Sequence, residues 1–207
     1  MRPVAGILLA AGQGSRIGQP KALIDVGGEP LAARGVALLH DGGASPVVVV
    51  TGATAVELTG VITVHNPDWR TGMGSSLRAG LATVPEQCAA AVIALVDQPL
   101  VGPEAVRRLI AAYRAGASVA VAAYDGQPRN PVLLGREHWP EVMALATGDA
   151  GARTFLRARP ELVTLVECGD TGRPDDIDTR ADLDRVAGLL GTNHGVTSSG
   201  AGFPSDA

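Results

Sequence analysis

Cysteine is scarce: Cys88 and Cys168 are the two in a chain of 207 residues. That number excludes a disulfide framework at this length and fits reduced thiols in a cytoplasmic protein, where both read as small core residues. Aromatic side chains are also few. Trp69, Trp139, Tyr113, Tyr124, Phe155 and Phe203 are the complete set, so a flat ligand has little stacking surface to choose from. Four histidines, His40, His65, His138 and His194, show no metal-ligand spacing. No apolar run reaches the roughly 20 residues of a membrane span. Met1-Arg2-Pro3 leads straight into an apolar strand pattern, unlike a signal peptide. Positive charge is not in excess either: Lys and Arg total 17 against 21 Asp and Glu, a net charge of −4. Such a chain has no general pull on nucleic acid, and phosphates must be met by a few placed cations and a metal.

What is present is a chain 46% hydrophobic, enough for one sizeable core. The expectation is a single domain over residues 1–190, followed by a flexible Gly/Ser/Thr-rich tail over 191–207. Val4 to Leu9, Pro46 to Thr51, Val61 to Val64, Ala91 to Val96 and Val119 to Ala123 are short, Val/Ile-rich runs. Their composition predicts strands buried on both faces, as in a parallel sheet. Helical stripes lie between or after them: Leu77, Leu81 and Val84; Val106, Leu109, Ile110 and Tyr113; Leu183, Val186, Ala187 and Leu190. This alternation predicts an α/β fold of three layers, a mostly parallel central sheet with helices on both faces. From Tyr124 to Leu134, an Asp125-Gly126 turn and two prolines predict a small antiparallel excursion.

The first chemical signal is Leu9-Ala10-Ala11-Gly12-Gln13-Gly14-Ser15-Arg16, with Lys21 shortly after. Glycines at the end of a first strand let backbone N–H groups approach an anion, and Arg16 and Lys21 can offset phosphate charge. The Walker pattern is absent, and Gly12, Gly14 and Gly18 are spaced too widely for a dinucleotide fingerprint. The second signal is Asp97, in Asp97-Gln98-Pro99, at the mouth of a buried apolar strand. There a carboxylate either holds a hard cation against phosphate oxygens or begins a turn. The third is Asp175-Asp176-Ile177-Asp178. Asp178 either completes a metal site with Asp97 or caps the helix that follows.

Taken together, these features resemble the nucleotidyltransferase superfamily with a GT-A-like fold, and more narrowly the molybdenum cofactor cytidylyltransferases and related molybdopterin nucleotidyltransferases. The resemblance spans about residues 4–190. It rests on the first loop with Lys21, then Asn66-Pro67-x-Trp69-x-x-Gly72-Met73-Gly74-Ser75-Ser76-Leu77, Asp97-Gln98-Pro99, Gly148-Asp149-x-Gly151-Ala152-Arg153 and Asp176-Ile177-Asp178-Thr179, in that order.

The resemblance implies a nucleoside triphosphate held by Leu9, Ala10, Ala11, Gly12, Gly14, Ser15, Arg16, Lys21, Gly74 and Ser75. Arg16, Lys21 and Asp97 would be the catalytic groups, and Asp97 and Asp178 the ligands of Mg²⁺. The acceptor would meet Trp69, Met73, Ser76, Asn130, Asp149 and Arg153. Trp69 reads equally as a core residue, and Ser75 and Ser76 as ordinary helix caps. Ala10-Ala11 suits CTP, where guanylyl relatives tend to carry Gly-Gly. The implied acceptor is a phosphorylated small molecule of the molybdopterin type, with a molybdenum hydroxylase as a possible client.

Three positions depart from the family pattern: Ile17 in place of Met, Arg180 in place of Pro, and Gln127-Pro128-Arg129-Asn130-Pro131-Val132 where many relatives read Gly-His-Pro. The last puts the acceptor's identity in question. An acceptor phosphate is already anionic at neutral pH, so the reaction asks for no general base. A nucleotidyltransferase for a sugar phosphate and a non-catalytic cofactor chaperone are the competing readings.

Overall fold

The computed structural model describes residues 2–192, so the tail expected from residue 191 lies almost entirely outside the described residues. Every strand run named above becomes a strand. These are β1 (Val4–Leu9), β4 (Val47–Thr51), β5 (Ile62–His65), β6 (Ala90–Leu95) and β7 (Val119–Tyr124), with β2 (Asp25–Val26) and β3 (Glu29–Pro30) forming a separate short hairpin. The helices are α1 (Leu31–Asp41), α2 (Met73–Thr83), α3 (Pro103–Arg114), α4 (Trp139–Leu145), α5 (Arg153–Ala158) and α6 (Arg180–Thr192). The remaining strands are β8 (Gln127–Gly135) and β9 (Val163–Glu167).

The main sheet has seven strands in the order β5-β4-β1-β6-β8-β7-β9. β1 pairs in parallel with β4 and β6, β4 with β5, and β7 with β9. The antiparallel segment is larger than its sequence signal suggested. β8 runs nine residues and lies inside the sheet between β6 and β7, because Val132, Leu133 and Leu134 need cover on both faces and an edge would not give it.

Alternate residues of one strand feed opposite cores. Val4 and Leu8 of β1 join the core under α1 and α3, while Ala5, Ile7 and Leu9 join the core under α2, α4 and α5. β4 divides likewise, Val47 and Val49 against Val48 and Val50. The chain leaves β1 toward β4 through α1 on one face and later enters β6 through α2 on the other. Connections diverging on either side of β1 open a crevice at its carboxyl end, where α/β sheets collect ligands.

Candidate active site

β1 ends at Leu9, and the chain is held in place just beyond it. Ala10 N–H donates to the Val50 carbonyl (2.9 Å) and Val96 N–H to that of Leu9 (3.2 Å), so the ends of three neighbouring strands are tied together. The loop then folds on itself, with Ile17 and Gly18 N–H both reaching the Gly14 carbonyl at 2.9 Å. Gly14 has φ of +62°, and a Cβ there would stand 2.1 Å from the Gln19 carbonyl oxygen. Only glycine satisfies both demands. The turn brings Lys21, which opens a short 3-10 segment over Lys21–Leu23, back toward the sheet.

Lys21 is the centre of the site. Its ammonium donates to Asp97 Oδ2 and Asp178 Oδ1, both at 2.7 Å. Burial alone would pull its pKa down, but Asp97 and Asp178 outweigh that and hold it above the ordinary lysine value. The same hydrogen bond from Lys21 holds the Asp178 carboxyl below the usual carboxylate range. Arg16, largely exposed, lies 3.6 Å from the other Asp178 oxygen. Residues distant by 157 positions in sequence thus meet at one ammonium.

Gln98 makes that meeting possible. It is 5% exposed, and its amide donates to Asp176 Oδ1 at 2.8 Å. Together with the Ile177 N–H bond to the Asp97 carbonyl (2.9 Å), it clamps the acidic segment onto the end of β6. Burial pushes Asp176 above the usual carboxylate value, the charges of Asp97 and Asp178 adding to it while Gln98 opposes. Asp178 is not the cap of α6. Thr179 and Asp182 form that cap reciprocally, with Thr179 N–H to Asp182 Oδ2 at 2.9 Å and Asp182 N–H to Thr179 Oγ1 at 3.2 Å. Asp178 is therefore left facing Lys21.

A cleft of about 290 Å³ opens beside Lys21 and Asp97. Its walls include Leu9, Ala11 and Gly12 from the first loop, and Trp69, Met73 and Ser76 around the start of α2. Asp149 closes the far side and accepts Met73 N–H at 3.4 Å. Not every expected contact lines this cleft. Ala10 is 1% exposed and packs into the core. Gly74 lies against the backbone of Ala146 and Thr147. The Ser75 hydroxyl receives the Asn66 amide (2.8 Å) and can donate to the Gly72 carbonyl at 2.9 Å, a structural cap. Gly14, Ser15 and Arg16 stand on the loop beside the cleft, and Arg153 is exposed, bonded to the Asp149 carbonyl at 2.8 Å. Asn130 sits on β8, two residues before the Val132 that pairs with Ile93, outside the cleft wall.

Four contributors carried no assigned role in the sequence reading. Gln98 is the clamp just described. Asn66, 4% exposed, joins the end of β5 to α2 through both Ser75 and Ser76. Arg70 also lines the cleft and stacks over the Trp69 ring at 4.4 Å. Gly52 lets Trp69 and Ala11 close together, since a Cβ there would lie 2.6 Å from one and 2.8 Å from the other. Gln98 and Asn66 stood inside quoted motifs, and an uncharged amide beside a buried strand was the available signal.

Among the described residues, no three His, Cys, Asp or Glu side chains cluster as a self-sufficient metal site. Two carboxylates around a cation suit a hard ion that takes its other ligands from phosphates and water. No helix among the described residues is long and apolar enough to cross a membrane.

The chain is similar to several known proteins. The model of the MobA-like NTP transferase domain matches residues 6–163. Nicotine blue oxidoreductase of Paenarthrobacter nicotinovorans is 38% identical over 197 residues, covering 88% of this chain and 96% of that one. A molybdenum cofactor guanylyltransferase of Xanthomonas euvesicatoria is 39% identical over 113 residues, covering 53% and 55%. The crystal structure of a Mycobacterium tuberculosis Rv0371c homolog from Mycobacterium sp. strain JC1 superposes with a TM-score of 0.82 at 30% identity, covering 92% of this chain and 98% of that one.

Proposed function

The chain belongs to the MobA-like NTP transferase domain family, and from that premise we propose that it is a Mg²⁺-dependent nucleotidyltransferase moving CMP from CTP onto the terminal phosphate of a molybdopterin-type acceptor. The observation that carries the reading is the Lys21 ammonium held 2.7 Å from both Asp97 and Asp178. A half-buried pair of carboxylates already built around a cation is suited to a divalent ion, with the lysine then freed for phosphate.

An acceptor phosphate oxygen would bond to the α-phosphorus of the triphosphate as the bond to the β-phosphate oxygen breaks, and pyrophosphate leaves. Mg²⁺, when bound by Asp97 and Asp178, supplies charge neutralisation for the phosphates. Lys21 and Arg16 hold the triphosphate and offset charge growing on the leaving group. The glycine loop orients it, and Trp69, Met73 and Asp149 shape the opposite wall. The implied setting is the cytoplasm, with a molybdenum hydroxylase as client.

A second reading is favoured by the similarity to nicotine blue oxidoreductase, namely an oxidoreductase. One experiment separates the readings. Pyrophosphate release is measured with CTP, GTP, ATP and UTP and Mg²⁺, with and without reduced molybdenum cofactor, beside a parallel assay of nicotinamide oxidation with a quinoid dye. Release with CTP that requires the cofactor is expected. Release with another phosphorylated acceptor instead would assign a different substrate. Silence with every nucleotide, together with nicotinamide oxidation, would transfer the assignment to the oxidoreductase; silence in both with retained cofactor would leave a chaperone.

A further inference from the structure

The cleft beside Lys21 and Asp97 holds a cation that the phosphate chemistry leaves unused. Arg70 lines it, exposed, within the 3-10 turn Trp69–Thr71. The turn is fixed at both ends. Asp68 N–H reaches Asn66 Oδ1 at 3.0 Å, and Thr71 gives both its N–H (2.9 Å) and its hydroxyl (2.8 Å) to the Asp68 carbonyl. Gly72, at φ of +110°, then presses against the Gly148 carbonyl, whose oxygen a Cβ would approach to 2.5 Å. Arg70 therefore stands on backbone that is already set, as a recognition group requires.

The guanidinium carbon lies 4.4 Å over the Trp69 ring centroid. Stacking uses the flat face and leaves the planar fork of N–H donors free at its edge. Among the described residues Arg70 makes no hydrogen bond and no ion pair. Lys21, by contrast, is engaged by Asp97 and Asp178, and Arg16 by Asp178. The stack also has a definite neighbour. Gly52 admits the Trp69 side chain against Ala11 of the first loop, a Cβ there standing 2.6 Å from one and 2.8 Å from the other. Leu9, Leu95, Val96 and Met73 make much of the remaining wall apolar. That combination suits a flat ring with a polar edge, the phosphate end being served by Lys21.

A guanidinium only donates, and its fork fits two acceptors side by side. Cytosine presents such a pair on its pairing edge, the N3 lone pair and the O2 carbonyl. Uracil, of the same ring size, puts an N3–H donor in that place, so donor would face donor. We infer that Arg70 determines nucleotide specificity, its guanidinium held on Trp69 and donating to N3 and O2 of the cytosine of the bound triphosphate. Trp69 is the positioning residue for that fork. The inference rests on the nucleotidyltransferase reading for the presence of a triphosphate and on the Trp69–Arg70 stack for the choice of base.

Binding without an acceptor tests this, by isothermal titration calorimetry of the full chain with CTP, UTP and inorganic tripolyphosphate, each with Mg²⁺. The wild type is expected to hold CTP about tenfold more tightly than UTP, the scale of one bidentate base contact. Arg70→Ala, at an exposed position, should erase that ratio and leave the affinity for tripolyphosphate unchanged. Arg70→Lys keeps the charge without the fork and should not restore the ratio. A tripolyphosphate affinity that falls along with both nucleotides makes Arg70 a phosphate partner and overturns the inference. So does a CTP-to-UTP ratio that survives Arg70→Ala, or a wild type indifferent to the base. Pyrophosphate release, followed in parallel with reduced molybdenum cofactor as acceptor, separates this inference from the reading beneath it. An Arg70-dependent cytosine preference without release keeps the base contact and removes the transfer reaction. Release with CTP whose preference over UTP is unmoved by Arg70→Ala removes the inference and keeps the reaction.

Discussion

Lys21, Asp97 and Asp178 are worth considering as one electrostatic unit, since each holds another in place. A unit charge pair about 4 Å apart at an effective dielectric near 20 is worth roughly 4 kcal/mol, and losing one such contact in the transition state slows turnover on the order of 10²–10³-fold. Asp97→Asn is therefore expected to lower kcat by that factor while the circular dichroism spectrum stays native; full turnover in this variant would remove Asp97 from the metal site. Lys21→Ala should lower kcat similarly, because the phosphates lose their compact cation. The loop offers a separate test. Gly14→Ala forces a Cβ to 2.1 Å from the Gln19 carbonyl at a φ of +62°, and a strained left-handed residue costs about 1–2 kcal/mol before any clash. A higher KM for the triphosphate and a lower urea midpoint are expected together, and an unperturbed KM would dissociate this loop from nucleotide binding.

At the scale of elements, two short couplings set the site. Asn66 links β5 to the start of α2 through Ser75 and Ser76, and the Thr179–Asp182 cap begins α6 directly after Asp178. The cap also takes the Asp178 N–H at 3.3 Å, so it fixes the backbone that presents Asp178 to Lys21. Thr179→Ala should cost about 1 kcal/mol and weaken Mg²⁺ binding without touching a ligand. Denaturant unfolding and a Mg²⁺ titration of activity measure the two effects, and unaltered Mg²⁺ dependence in a destabilised variant would confine the cap to folding. β8 belongs here too. Its place between β6 and β7 brings the β7–β8 turn to the carboxyl edge, beside the acidic segment.

For the whole molecule, the charge pattern fixes where stability should be lost. Asp178 titrates below its ordinary value, and Asp182 is pushed down to about 2 by hydrogen bonds from Thr179 and the Arg185 guanidinium. Depressed carboxyls stabilise the fold above their unfolded pKa and cease to do so as pH falls through the folded one. On the alkaline side burial pushes Tyr124 up to about 12, and Lys21 lies above its ordinary 10.5. Raised groups stabilise below their unfolded pKa and lose that contribution as pH climbs through the folded value. The thermal midpoint should therefore be flat through neutral pH, falling as pH drops from about 4 toward 2 and again as it rises past about 10. Calorimetry across pH checks this, and a midpoint unchanged between pH 5 and 2.5 would contradict the acid limb. Saturating Mg²⁺ and CTP should raise the neutral midpoint by mass action.

The sequence by itself determined the layered α/β fold, the strands buried on both faces and the residues able to do phosphate chemistry. Those are local facts: valine runs, helical stripes, glycines after a strand and carboxylates at fixed positions. The short β2–β3 hairpin, α1, α4, α5 and β9 lacked a distinct pattern, since small and partly polar elements take their stability from neighbours. Only the tertiary structure decided that Lys21 stands between Asp97 and Asp178, that Gln98 clamps Asp176, and that the α6 cap is Thr179 with Asp182. Such meetings join residues dozens of positions apart, and their geometry follows from strand order and loop closure, which no local pattern encodes.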